Sequence, residues 1–265
     1  MWDTMKSYSV NFSNYTTHIL QINPQLQYLE RIECITKERS SFDVFPSSWF
    51  LFISQTNDNL IRIQFPDDEK LFQGSIAIFL PSKNIIHWNL SPGTIRWTAF
   101  RGETELPSKL KHEGFVIPWN SDSYFQSEVE LLNHIENQKK YLALLPKEFN
   151  NSKLATKLKN HIDENYLTGK KIKEFCDELG INYSSLTHLF KQCYRVTPND
   201  YLNRLKLNAA LKELSMKDKS LIDSCYEAGF EEYSNFFRQF KSWLGVNPKH
   251  IITSKNLSKK PEVEP

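Results

Sequence analysis

Between about Thr16 and Trp119 the apolar residues fall in short runs: Phe50-Leu51-Phe52-Ile53, Ile61-Arg62-Ile63-Gln64-Phe65, Ile76-Ala77-Ile78-Phe79-Leu80 and Ile85-Ile86-His87-Trp88. Asn57-Asp58-Asn59, Pro66-Asp67-Asp68, Pro81-Ser82 and Ser91-Pro92-Gly93 interrupt them. Runs punctuated at intervals of roughly 8 to 14 residues are the pattern of strands in a sandwich or barrel. Beyond Ser121 the period lengthens. Phe125, Val129, Leu132, Ile135 and Leu142, with Leu131 and Leu145 beside them, recur at helical steps, which predicts an amphipathic helix from Ser123 to Leu145, stopped by Pro146. Its stripe would either cover a core or pair with a second copy.

The second half repeats itself. Ile172, Cys176 and Gly180 are followed at a constant offset by Leu221, Cys225 and Gly229. After one extra residue in the turn, Tyr183-Ser184-Ser185-Leu186 matches Tyr233-Ser234-Asn235-Phe236, Phe190-Lys191 matches Phe240-Lys241, and Thr197-Pro198 matches Asn247-Pro248. Matched positions in this order mark a duplicated supersecondary unit.

Each copy has the same physical logic. A first helix, Ile172 to Leu179 or Ser220 to Ala228, ends at Gly180 or Gly229, where the absence of Cβ permits positive φ and a sharp exit. A second helix follows with a buried stripe: Leu186, Leu189 and Phe190 in one copy, Phe236, Phe240 and Trp243 in the other. Cys176 and Cys225, one turn before the glycines, are small residues suited to a close helix crossing. Pro198 and Pro248 suit the first turn of a further helix, where a missing N–H costs nothing. Pro198 to Leu214, with Tyr201, Leu202, Leu205, Leu207, Ala210, Leu211 and Leu214, reads as a long helix joining the copies.

The motifs Phe175-Cys176-Asp177-Glu178-Leu179-Gly180-Ile181, Ala228-Gly229-Phe230, Tyr233-Ser234-Asn235-Phe236-Phe237-Arg238-Gln239-Phe240-Lys241 and Gly245-Val246-Asn247-Pro248 resemble the paired helix-turn-helix units of the AraC/XylS family over about Lys153 to Ile252. Three residues depart from that pattern. Arg195 stands where glycine is usual, at an expected left-handed cap. Ser224 replaces an aliphatic residue, and Lys206 replaces an arginine. The resemblance implies a transcription regulator that binds double-stranded promoter DNA, is usually an activator, and contacts RNA polymerase. A repressor would need the same DNA-binding parts. It also implies a cupin-like N-terminal β domain that binds an effector or mediates dimerisation.

With the apolar stripes turned inward, Ser184, Ser185, Thr187, His188, Lys191 and Gln192 face out on the first reading helix. Ser234, Asn235, Arg238, Gln239, Lys241 and Ser242 face out on the second, with Tyr233 at its entry. Arg238 suits guanine O6 and N7. The resemblance puts Ser184, Thr187 and His188 at base-contact positions. Lys191 and Lys241 suit phosphates, which add affinity without sequence information. A rigid joining helix would set the two reading helices at a fixed separation, and major grooves on one DNA face recur at about 34 Å.

Charge sharpens the division. Residues 1 to 145 hold 13 Lys/Arg against 16 Asp/Glu, and residues 146 to 265 hold 20 against 15, so the basic half is the candidate for a polyanion. An apolar fraction of 40% against 24% charged argues for folded domains. No stretch approaches the roughly 18 apolar residues of a membrane helix, and no secretory signal is evident, so the expected location is cytoplasmic. Four scattered cysteines, Cys34, Cys176, Cys193 and Cys225, are expected to be reduced.

In the first half, His18, His87 and His112 stand apart, unlike the clustered ligands of a metal-dependent cupin enzyme. Neither catalysis nor a cofactor is expected. Trp49, Trp88, Trp97 and Trp119 serve either a core or an apolar pocket for a small molecule. Control through a protein partner is the alternative, and a homodimer is also open.

The expected architecture is therefore α+β and multidomain. A mostly-β, cupin-like barrel or sandwich with C-terminal helices fills residues 1–145 as a regulatory domain, followed by a linker at 146–152. An all-α domain of two helix-turn-helix units joined by a long helix occupies 153–254, and a disordered tail occupies 255–265.

Overall fold

The computed structural model describes residues 7–11, 15–54, 61–72, 74–120, 125, 127–138, 140–216 and 219–249, so the tail expected at 255–265 lies outside the described residues. The first half is built from strands β1 (Ser7–Asn11), β2 (Tyr15–Gln21), β3 (Leu26–Ile35), β4 (Arg39–Asp43), β5 (Trp49–Ser54), β6 (Ile61–Gln64), β7 (Glu69–Leu71), β8 (Ile76–Leu80), β9 (Ile86–Leu90), β10 (Gly93–Gly102), β11 (Phe115–Pro118) and β12 (Ala143–Leu144), with one helix, α1 (Glu128–Glu136). The predicted apolar runs coincide with β5, β6, β8 and β9.

The strands form two antiparallel sheets, ordered β1-β2-β3-β10-β5-β8-β11-β12 and β4-β9-β6-β7. Every residue of β8 is buried because both faces of the larger sheet are covered. Ile76, Ile78 and Leu80 point into the space between the sheets, with Ile61, Ile63, Trp88, Leu90, Ile95 and Trp97. Ala77 and Phe79 point the other way, with Trp49, Leu51, Phe115, Ile117 and Trp119, under Leu131, Leu132 and Ile135 of α1. A strand buried on both faces loses its polar alternation, which is why this run reads as continuously apolar.

The helix expected from Ser123 to Leu145 is much shorter. Ser127 caps α1, its side chain accepting the Glu130 amide at 3.2 Å, and the helix ends at Asn137. The polar run Asn137-Gln138-Lys139-Lys140 offers no apolar side chain to continue the stripe. Leu142 and Leu145 instead lie in extended chain, their amides donating to Val116 O and Gly114 O at 2.8 Å each, so the residues read as the last helical turns extend the sheet at β12. The apolar stripe of α1 is spent on the sheet, leaving Val129 as its exposed apolar residue.

The second half is helical: α2 (Lys153–Asn165), α3 (Ile172–Glu178), α4 (Tyr183–Tyr194), α5 (Pro198–Met216), α6 (Leu221–Glu227) and α7 (Tyr233–Leu244), with a 3-10 turn at Tyr166–Thr168. Along α5, Tyr201, Leu202 and Leu205 pack on the core of α2, α3 and α4, whereas Leu207, Ala210 and Leu214 pack on that of α6 and α7. One helix therefore serves two small cores and holds them together. Val44 and Ile85 of the β domain join the first of these cores, and Ile19 joins the second. Cys34 is exposed, whereas Cys176, Cys193 and Cys225 are buried, and none is paired.

Candidate nucleic-acid interface

The two units are built alike down to their hydrogen bonds. After α3, Gly180 has φ +67°, its amide donating to Asp177 O at 3.0 Å while the Ile181 amide reaches back to Cys176 O at 3.0 Å. After α6, Gly229 has φ +83°, with Gly229 N to Tyr226 O at 2.9 Å and Phe230 N to Cys225 O at 3.2 Å. This pair of bonds defines a Schellman exit, and it aims the chain into the second helix of each unit. Cys176 and Cys225 are buried at these exits and burial pushes both thiols up, Cys225 to about 11, so they act as packing groups and not as nucleophiles.

Both second helices end on left-handed caps, Arg195 at φ +58° and Gly245 at φ +71°. Their amides donate to Lys191 O and Lys241 O at 2.9 Å each. Arg195 thus adopts the conformation expected for a glycine at this position. Its guanidinium lies over the Phe149 ring, 5.3 Å from the centroid. Ser224, buried, turns its hydroxyl back to Ser220 O at 3.0 Å, satisfying itself within its own helix. Buried Lys206 donates to Gly229 O at 2.7 Å and so ties α5 to the turn of the second unit. Desolvation lowers its pKa.

On α4, Leu186 and Phe190 are buried and Leu189 half-buried, leaving Ser184, Ser185, His188 and Lys191 exposed and Thr187 half-buried. Asn182 caps the helix, accepting the Ser185 amide at 3.2 Å. His188 Nε2 lies 2.9 Å from the Gln192 amide nitrogen, and Thr187 donates to Ser184 O at 3.0 Å. On α7, Phe236, Phe240 and Leu244 are buried, and Ser234, Arg238 and Lys241 share the exposed face. Arg238 Nη2 donates to Asn235 Oδ1 at 3.1 Å, which poises the guanidinium outward beside a half-buried amide. Tyr233 is half-buried, its ring packed on Phe236 and Phe237 at the helix entry.

Two expectations for α7 change. Trp243, assigned to the buried stripe, is only partly buried and faces a cleft between the β domain and α5, its place in the stripe being taken by Leu244. Gln239, expected on the outward face, is half-buried and lines the adjoining part of the cleft, whereas Ser242 is exposed as expected at the rim of that space. Sequence periodicity could not distinguish these faces, because the neighbour that claims them lies about two hundred residues away in the chain.

The cleft holds an apolar cavity of about 250 Å³ whose wall includes Phe45, Phe50, Phe52 and Trp97 from the sandwich and Leu211 and Trp243 from the helices. Phe45 stacks on Phe50 at 3.8 Å between centroids. Arg31, Arg101 and Lys212 stand at its edge. The indole N–H of Trp97 is buried without a hydrogen-bond partner. A contiguous, more polar space of about 650 Å³ is lined in part by Arg39, Trp88 and Arg204. Of the four tryptophans singled out, Trp88 and Trp97 thus border the cleft, whereas Trp49 and Trp119 lie in the core under α1. Among the described residues no three His, Cys, Asp or Glu side chains gather as a metal site, and no helix is long and apolar enough to cross a membrane.

Comparison with known proteins bears on the same segment. The family model described as Helix-turn-helix domain matches residues 175–253. The virulence regulon transcriptional activator VirF of Yersinia enterocolitica is 27% identical over 99 residues, covering 37% of this chain and 36% of that protein. The raffinose operon transcriptional regulatory protein RafR of Pediococcus pentosaceus is 30% identical over 95 residues, covering 36% and 34%. The chain thus spans about a third of the length of the curated relatives it matches. At the level of fold, the likeness extends over both domains. The structure of unsaturated fatty acid bound wild-type ToxT from Vibrio cholerae strain SCE256 covers 95% of this chain and 99% of that one, with a TM-score of 0.50 and 14% identity.

Proposed function

The chain belongs to the AraC/XylS family of helix-turn-helix regulators, and from that premise we propose that it is a sequence-specific transcription regulator that reads two successive major grooves of promoter DNA. One observation carries this reading: two units with matching exits and caps each present an exposed polar helix face, held on the single helix α5. Base edges are read by Ser184, Ser185, Thr187 and His188 on α4 and by Ser234, Asn235 and Arg238 on α7, with Tyr233 at the entry. Lys191 and Lys241 contact phosphates. The 153–254 segment is the DNA-binding domain, and 146–152 joins it to a regulatory domain at 1–145.

The protein acts in the cytoplasm as an activator in contact with RNA polymerase, a role suggested by relatives that include a named activator. A small-molecule effector enters the cavity of the cleft, where an aromatic wall provides an apolar seat and Arg31, Arg101 and Lys212 among the lining residues provide donors. The test is selection of genomic fragments by the full-length protein at about 150 mM salt. Recovery of a site with two elements about one helical turn apart supports the reading. Equal recovery of all sequences overturns it.

A further inference from the structure

Across the cleft, one side chain touches both the regulatory domain and a reading helix. Arg204, on α5, has its guanidinium carbon 4.5 Å from the centroid of the Phe42 ring on β4 and 4.1 Å from that of the Trp243 ring on α7. Its Nη1 donates to Phe42 O and, at 3.0 Å, to Asp43 Oδ1. Asp43 is itself fixed, its second oxygen accepting the Trp88 indole N–H at 2.9 Å. The arginine side chain is 11% exposed. A planar cation can offer both faces to rings while its edge donates to a carboxylate, which the tetrahedral ammonium of lysine cannot do.

We propose that Arg204 is an interdomain latch that fixes the orientation of α7, and with it the second helix-turn-helix unit, against the β domain. The latch does not mask the exposed face of α7, since Arg238 and Lys241 remain exposed while it is closed. Its effect is on the geometry between the units and the sandwich. Trp243 also lines the cavity beside Trp97, so a molecule seated there touches one of the two rings that hold the arginine. That route from cavity to reading helix rests on the DNA-binding role proposed above. The latch itself does not, and it can be tested without DNA.

Cys34 is the exposed thiol of the chain and lies on β3, whereas the other three cysteines are buried. A donor and acceptor dye pair on Cys34 and on Ile222→Cys, an exposed position of α6, therefore reports the distance from the β domain to the second unit. The latch predicts one narrow transfer efficiency for this labelled chain. Arg204→Met and Trp243→Leu should each raise the open fraction about tenfold, the order expected for losing a desolvated cation–π face. Trp243→Phe, which keeps a ring, should stay closed. The double variant Arg204→Met, Trp243→Leu should open no further than either single one, because both break the same contact. If Arg204→Met fails to fold, Arg204→Lys, which keeps the charge and loses the flat face, should open in its place. Unchanged transfer in the single variants, or opening of the double variant by the product of the two single effects, would overturn the latch and leave Arg204 as ordinary packing.

Discussion

Gly229 rests against the backbone of Leu167: a Cβ at Gly229 would lie 2.9 Å from the Leu167 Cα, carbonyl carbon and oxygen. This contact joins the turn of the second unit to the 3-10 turn behind the first, beside the Lys206 bond to Gly229 O and an ion pair of Lys171 with Glu231 at 3.2 Å. Gly180, its counterpart in the first unit, has open space where its Cβ would be. The duplicated glycines therefore share a conformational reason but differ in packing. Gly180→Ala should cost about 1 kcal/mol, the strain of a left-handed alanine. Gly229→Ala should cost about 2 to 4 kcal/mol, since backbone atoms must also move apart. Denaturant unfolding of the two variants checks the difference, and equal losses would contradict it.

Arg238 and Lys241 share an exposed face but should fail differently. Arg238→Ala is expected to lose about 1 to 3 kcal/mol on the selected site and to relax base preference within one element. Lys241→Ala should weaken binding to all sequences alike and reduce the salt dependence by about one counterion. Titrations of both variants on matched and scrambled duplexes at several salt concentrations separate the two roles.

His87 joins the domains at the other unit. Its Nε2–H donates to Tyr194 O at 2.9 Å, at the C-terminal end of α4, and its ring meets Phe149 edge-on. Burial pushes its pKa down from 6.5 to about 4, opposed in part by the Tyr194 bond. Because the unfolded chain takes up the proton first, this stability is fully present above about pH 6.5 and is lost as pH falls toward 4, a change of roughly 3 kcal/mol at most. The melting temperature of the wild type should drop over that window, and that of His87→Gln should drop less. Parallel pH profiles for the two would refute the assignment.

The paired units were legible in the sequence because their constraints are local. A positive φ demands Gly180 and Gly229, a close crossing demands Cys176 and Cys225, and a helix start tolerates Pro198. The family pattern, with glycine usual at this position, puts a left-handed cap at Arg195, and Arg195 has that geometry. The shortening of α1 was not legible, because Leu142 and Leu145 fit a helical stripe as well as the sheet edge that claims them. Nor was α2 read out, although Ala155, Leu158 and Ile162 carry its buried face at helical spacing. The cleft was invisible, since Arg204, Phe42 and Trp243 meet only through the packing of one domain on another. Two of the four tryptophans border it and two do not: Trp88 and Trp97 belong to the core between the two sheets, Trp49 and Trp119 to the core under α1.

Whether one chain reads two grooves at a separation set by α5 is decided by binding to the selected duplex with five base pairs inserted between its two elements. Half a turn of added DNA rotates one element to the far side of the helix, where a rigidly held unit cannot follow. Affinity should fall to the level of a duplex with one element scrambled. Affinity unchanged by the insertion would contradict it and would mean that the units bind independently or that only one of them reads DNA.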